Sequence, residues 1–84
     1  MPTISTFYGI KITMYFRQSE HAPPHFHAEY AGKKAVFQIN PLKCIEGSLS
    51  GRAHLLVTEW ATLHRDELLA IWNTQVFRKI EPLD

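Results

Sequence analysis

The sequence predicts an α+β fold: an antiparallel sheet of four or five strands in the N-terminal half, covered on one face by one or two C-terminal helices. Three observations predict it. Apolar residues recur every second position before about residue 50 and at helical spacing after it. Gly and Pro punctuate the first half but are absent from residues 52 to 76. No helical stretch lies between the strand candidates, so neighbouring strands pair through hairpins rather than crossovers.

Thr3 to Tyr8 is a short candidate strand, joined through Gly9 to a longer one. In the longer strand Ile10, Ile12, Met14 and Phe16 fall on one face and Lys11, Thr13, Tyr15 and Arg17 on the other. His25 to Tyr30 alternates again, with Phe26, Ala28 and Tyr30 opposite His25, His27 and Glu29. Ala31-Gly32-Lys33-Lys34 suits a hairpin turn, because Gly tolerates the positive φ that such turns need. Ala35 to Ile39 returns as the partner strand and Asn40-Pro41 ends it. Leu42 to Glu46 is a short fifth strand before Gly47.

Helix is expected over 51–76. Ser50 is placed to cap it, since its hydroxyl can accept from an orphan N–H of the first turn. Leu56, Trp60 and Leu63 share one face, and Leu68, Ile71, Trp72 and Val76 continue an apolar stripe. A single helix of about seven turns would overhang a sheet of short strands. A break near His64-Arg65-Asp66 is therefore preferred, with Asp66 capping the second helix. Residues 77–84, which include Pro82, read as an extended tail.

The 84 residues amount to one domain, 1–84, with the strands at roughly 3–46. A chain this short buries only about 60% of its unfolded surface. A surface groove or an interface is thus a better place for function than an internal cavity of ordinary ligand size, which would hollow out the core. A net charge of +1 leaves no electrostatic footprint for nucleic acid. The cationic spots Lys33-Lys34 and Arg78-Lys79 are short. The single cysteine, Cys44, excludes an internal disulfide and fits a reducing cytoplasm. The first residues lack the charged and apolar regions of a signal peptide or membrane anchor.

The informative segment is Glu20-His21-Ala22-Pro23-Pro24-His25-Phe26-His27-Ala28-Glu29, which holds three of the five histidines. In a strand, residues two apart share a face at roughly 6.5–7 Å between Cα atoms. His25 and His27 then project side by side, and Glu29 follows in the same row. Two such imidazoles can reach one metal ion, with Glu29 as a carboxylate ligand or His21 folding back from the loop. Zinc or nickel would suit that donor set. Pro23 and Pro24 stiffen the approach to the strand. The same residues also read as histidines on an open sheet face, or as a polar binding or proton-transfer site. His54 and His64 fall on the helical half as surface or packing residues, and Trp60 and Trp72 as core.

Residues throughout the chain resemble a bacterial family, domain of unknown function 4160. They are Met1-Pro2-Thr3-Ile4-Ser5, Phe7-Tyr8-Gly9-Ile10, Met14-Tyr15, Pro23-Pro24-His25-Phe26-His27, Glu46-Gly47-Ser48-Leu49, Glu59-Trp60 and Lys79-Ile80-Glu81-Pro82-Leu83. The resemblance implies a small bacterial protein, often encoded beside a second small protein, and associated with transcriptional regulation or toxin–antitoxin-like pairs. It carries over no catalytic residue. Where the family pattern has Pro or a basic residue after Gly47-Ser48-Leu49, this chain has Ser50-Gly51 before Arg52.

The leading functional expectation is a protein-interaction module in a two-gene regulatory pair, with a small partner protein encoded nearby; a homo-oligomer is a further expectation. The alternatives are a metal-binding domain built on His25, His27 and Glu29, and a small nuclease-like toxin. In the latter a histidine would be the general base and Arg17, Lys33 or Lys34 would hold phosphate. Direct DNA reading is disfavoured. The candidate second helix, Asp66-Glu67-Leu68-Leu69-Ala70-Ile71-Trp72, opens acidic and carries no Arg or Lys to contact bases and phosphates.

Overall fold

A computed structural model describes residues 3–14 and 23–83. Five strands come first: β1 (Thr3–Phe7), β2 (Ile10–Thr13), β3 (His25–Tyr30), β4 (Lys33–Gln38) and β5 (Lys43–Gly47). Two helices follow, α1 (Gly51–Leu63) and α2 (Arg65–Thr74). The strands form one antiparallel sheet in sequence order, β1-β2-β3-β4-β5. This is the expected α+β architecture, with five strands and two helices.

Both tight hairpins use two residues with positive φ. Tyr8 (50°) and Gly9 (80°) join β1 to β2, and Ala31 (52°) and Gly32 (80°) join β3 to β4. That conformation matches the right-handed twist of the flanking strands. The second turn is tighter than expected, because Lys33 and Lys34 already belong to β4. The long second strand expected over residues 10–17 ends at Thr13. Met14 is buried just beyond it, while Tyr15, Phe16 and Arg17 lie outside the described residues.

Ser50 caps α1 as expected, its Oγ accepting from the Ala53 backbone N–H at 3.4 Å. The helix breaks at His64, whose own N–H closes the last turn on the Trp60 carbonyl at 3.1 Å. Asp66 does not cap α2. His64 occupies the cap position without a side-chain cap bond, and Asp66 lies inside the first turn with Glu67. Acidic groups there face the positive end of the helix dipole. Glu67 also accepts from His64 Nδ1–H at 2.7 Å, which ties the two helices together at the break. Gln75, in the left-handed region at φ 58°, ends α2 by donating its N–H to the Ile71 carbonyl.

The apolar face of α1 is Ala53, Val57, Trp60 and Ala61, and that of α2 is Leu68, Ile71 and Trp72. Two residues expected on the apolar stripe, Leu63 and Val76, are exposed instead. The break at His64 and the end of α2 at Thr74 rotate them away from the sheet. Trp60 sits at the centre of the core, its ring 5.4 Å from Phe7 and 5.9 Å from Phe26. Phe26 and Phe37, direct partners across β3 and β4, stack at 5.5 Å and only 5° from parallel. One sheet face, carrying Ile10, Ile12, Phe26, Ala28, Ala35 and Phe37, is fully buried.

Residues 77–83 carry no helix or strand, and this tail is anchored. Ile80 is buried, and its N–H donates to the Ile4 carbonyl at 2.8 Å. The indole N–H of Trp60 donates to the Glu81 carbonyl at 2.9 Å. Among the described residues no helix is long and apolar enough to cross a membrane.

Candidate functional site

Strand alternation sends every second residue to the sheet face opposite the core. The register then builds rows across the strands. Thr13 pairs with His27, His27 with Val36, and Val36 with Glu46, so these four stand in one line across β2, β3, β4 and β5. Beside it runs a second row, Lys11–Glu29–Lys34, and on the other side His25 pairs with Gln38. On this second face Thr13, His25, His27, Val36 and Gln38 are half-buried, and Lys11, Glu29, Lys34 and Glu46 are exposed.

His25 and His27 project side by side as the sequence suggests, with ring centroids 5.4 Å apart and a near edge-on arrangement. His25 Nδ1 lies 2.8 Å from the Pro23 carbonyl oxygen. A carbonyl can only accept, so Nδ1 bears the hydrogen and in the neutral ring Nε2 keeps the lone pair. The ring also packs against Trp72 of α2, centroids 4.9 Å apart. Two independent contacts thus fix its orientation at the start of β3. His27 is held below the ordinary histidine range. Burial is the first cause, the neighbouring His25 adds to it, Glu46 pulls the other way, and Lys34 lowers it further. Near neutral pH His27 is therefore an uncharged imidazole beside a carboxylate and a lysine.

Glu29 continues the row of His25 and His27 and stands in register with Lys11 and Lys34. Among the described residues no group of three His, Cys, Asp or Glu side chains is placed to hold a metal ion. His21, the remaining candidate ligand, lies outside the described residues, as does Arg17. Of the expected phosphate-holding lysines, Lys34 shares the face of His27, whereas Lys33 alternates to the other side. Cys44 is half-buried, its Sγ 3.5 Å from the carbonyls of Glu46 and Gly47.

The structure adds Val36, Gln38 and Glu46 to the site. Their signal was present in the alternation of the fourth strand, where Val36 and Gln38 fall opposite Ala35, Phe37 and Ile39. The register that brings Glu46 into line with His27 is not readable from spacing. A β-bulge shifts it by one residue, so that Val36 faces Glu46 while Phe37 faces Cys44.

No curated protein and no solved structure matches the chain. A family model does match, described as Domain of unknown function (DUF4160), over residues 9–73. That span runs from the first hairpin through β3, with its histidine pair, to the end of α2, and the chain belongs to this family.

Proposed function

We propose that this chain is a protein-interaction module, one half of a two-protein regulatory pair of the toxin–antitoxin-like kind, whose partner docks on the second face of the sheet. The observation that carries the reading is the row Thr13–His27–Val36–Glu46. It places an apolar side chain, an uncharged imidazole, a hydroxyl and a carboxylate in one line on a rigid surface, with charged groups at its margin. An apolar centre with a polar rim is the anatomy of a protein interface. The near-neutral charge supports a protein partner over a polyanion. The partner is expected to be the small protein encoded beside this one, as the family resemblance implies.

Co-expression with that neighbour, followed by size-exclusion chromatography at micromolar concentration, tests the reading. Joint elution that is lost on His27→Glu or Val36→Glu is the expected result. Separate elution of the two wild-type proteins contradicts it.

A second reading is favoured by the His25 geometry. An imidazole that donates Nδ1–H to a carbonyl, and so keeps its lone pair on Nε2, has the tautomer common among metal-ligating histidines. His25 and His27 would supply two ligands to zinc or nickel, and the remaining positions would be filled by His21, solvent or the partner. Calorimetric titration of untagged protein with each metal, repeated on a His25→Ala/His27→Ala double variant, tests it. Unchanged binding in the double variant removes these residues from the account.

A further inference from the structure

His25 and His27 present two nitrogen donors in a defined arrangement. On one tetrahedral zinc, with each nitrogen at ~2.0–2.1 Å, two imidazole rings have their centroids roughly 5 Å apart. The rings of His25 and His27 stand 5.4 Å apart with 65° between their planes, so both can reach a common ion after small side-chain rotations. The His25 ring is already oriented, by the Pro23 carbonyl at its Nδ1 and by the ring of Trp72. Its donor to a metal is therefore Nε2. A side chain held in this way has little rotamer freedom left to lose on binding.

A closed zinc site takes four ligands. Among the described residues no third His, Cys, Asp or Glu is grouped with this pair. The described part of one chain therefore offers half of a four-ligand set. A two-fold axis doubles whatever surface it passes through, because each copy presents the same patch to the other. Two histidine pairs meeting across such an axis supply four imidazoles at one point. The neighbours of His27 in its row permit the approach. Thr13 on one side and Val36 on the other are both shorter than an imidazole. Val36 also gives a second copy an apolar side chain to cover beside the ion.

We infer that His25 and His27 are half of a zinc site shared between two chains, completed by the same two residues of a second copy. The inference rests on the metal-binding reading of the pair and names what fills the other two positions. Zinc suits the site better than nickel. Four imidazoles around one ion match the tetrahedral preference of zinc, whereas Ni(II) favours tetragonal sets. Copies paired in this way cover the sheet face on which a partner protein docks, so the two assemblies exclude one another.

The test uses the full untagged chain, stripped of metal. Zinc is titrated in by calorimetry, and the mass is followed by light scattering after size exclusion. One zinc per two chains is expected, with a doubled mass that returns to that of the single chain on addition of EDTA. Cobalt in place of zinc should give the intense visible absorption of a tetrahedral ion. His25→Gln and His27→Gln each remove two of the four ligands at once, since the change is repeated in both copies. Each should abolish the doubling at micromolar protein, with circular dichroism confirming the fold. If a variant fails to fold, the stoichiometry and cobalt spectrum of the wild-type chain decide. His54→Gln, a change on α1, should leave the pairing as it was. One zinc per chain with no change in mass overturns the shared site and leaves the metal-binding reading standing. No zinc binding overturns both. Doubling without zinc, or zinc-dependent doubling that survives both variants, overturns the shared site. The complex with the partner protein is read separately, by co-elution in metal-free buffer, so either reading can fail without the other.

Discussion

Trp60 donates its indole N–H to the carbonyl of Glu81, 21 residues further along the chain, at 2.9 Å. The residue at the centre of the core therefore also holds the tail. Its ring packs against Phe7 and Phe26, and its one polar atom holds the tail backbone at Glu81. Packing and tail anchoring are joined in one side chain.

Trp60→Phe separates the two roles. It keeps an aromatic ring in the core but removes the donor. The lost hydrogen bond and the smaller ring together should cost about 1–3 kcal/mol. Urea unfolding measures the loss. Amide exchange at Ile80 should accelerate more than exchange at Phe26, because the anchor of the tail is gone while the β3–β4 ladder is intact.

The two strand-end glycines should respond differently to a methyl group. At Gly47, φ is +71° and an added Cβ would lie 2.3 Å from the Lys34 carbonyl oxygen, a backbone atom that cannot swing aside. At Gly32, φ is +80° but nothing lies within 4 Å. Gly32→Ala should cost only the left-handed backbone penalty, about 1–2 kcal/mol. Gly47→Ala carries that penalty plus the clash and should exceed it, with the β4–β5 pairing disturbed first. Thermal unfolding of the two variants side by side checks the order.

The depressed pKa of His27 makes the fold weaker in mild acid. Between the ordinary histidine value of 6.5 and the lower value in the fold, the unfolded chain binds more protons than the folded one. Stability therefore falls as pH drops through this window and levels off below the folded value. His27→Gln, which cannot titrate, should flatten that part of the stability profile. Denaturant midpoints taken at intervals from pH 7.5 to acid measure it, and an unchanged slope in the variant would assign the dependence to another group.

Much of the fold was legible because buried and exposed residues alternate along β2, β3 and the second half of β4. Alternation in Ile10–Met14 and His25–Tyr30 sorted the side chains into two faces without saying which face the helices cover, and Ser50 marked the start of α1 in its own right. The errors came where a local signal had competitors. Asp66 looked like a cap, but His64 ended one helix and began the next, so Asp66 moved inside. Leu63 and Val76 fitted a continuous helical stripe that the break interrupts. At the candidate site, the adjacency of His25 and His27 follows from two-residue spacing. The Trp72 contact and the line from Thr13 to Glu46 depend on strand order, register and a bulge, which are set by tertiary packing and leave no mark on spacing.

The most direct test of the account is a methyl NMR map of the protein with the small partner protein proposed for it. The Val36 and Thr13 methyl groups should shift on complex formation, while those of Leu55, exposed on α1, stay in place. Shifts at Leu55 and the helices, with Val36 and Thr13 unmoved, would contradict it.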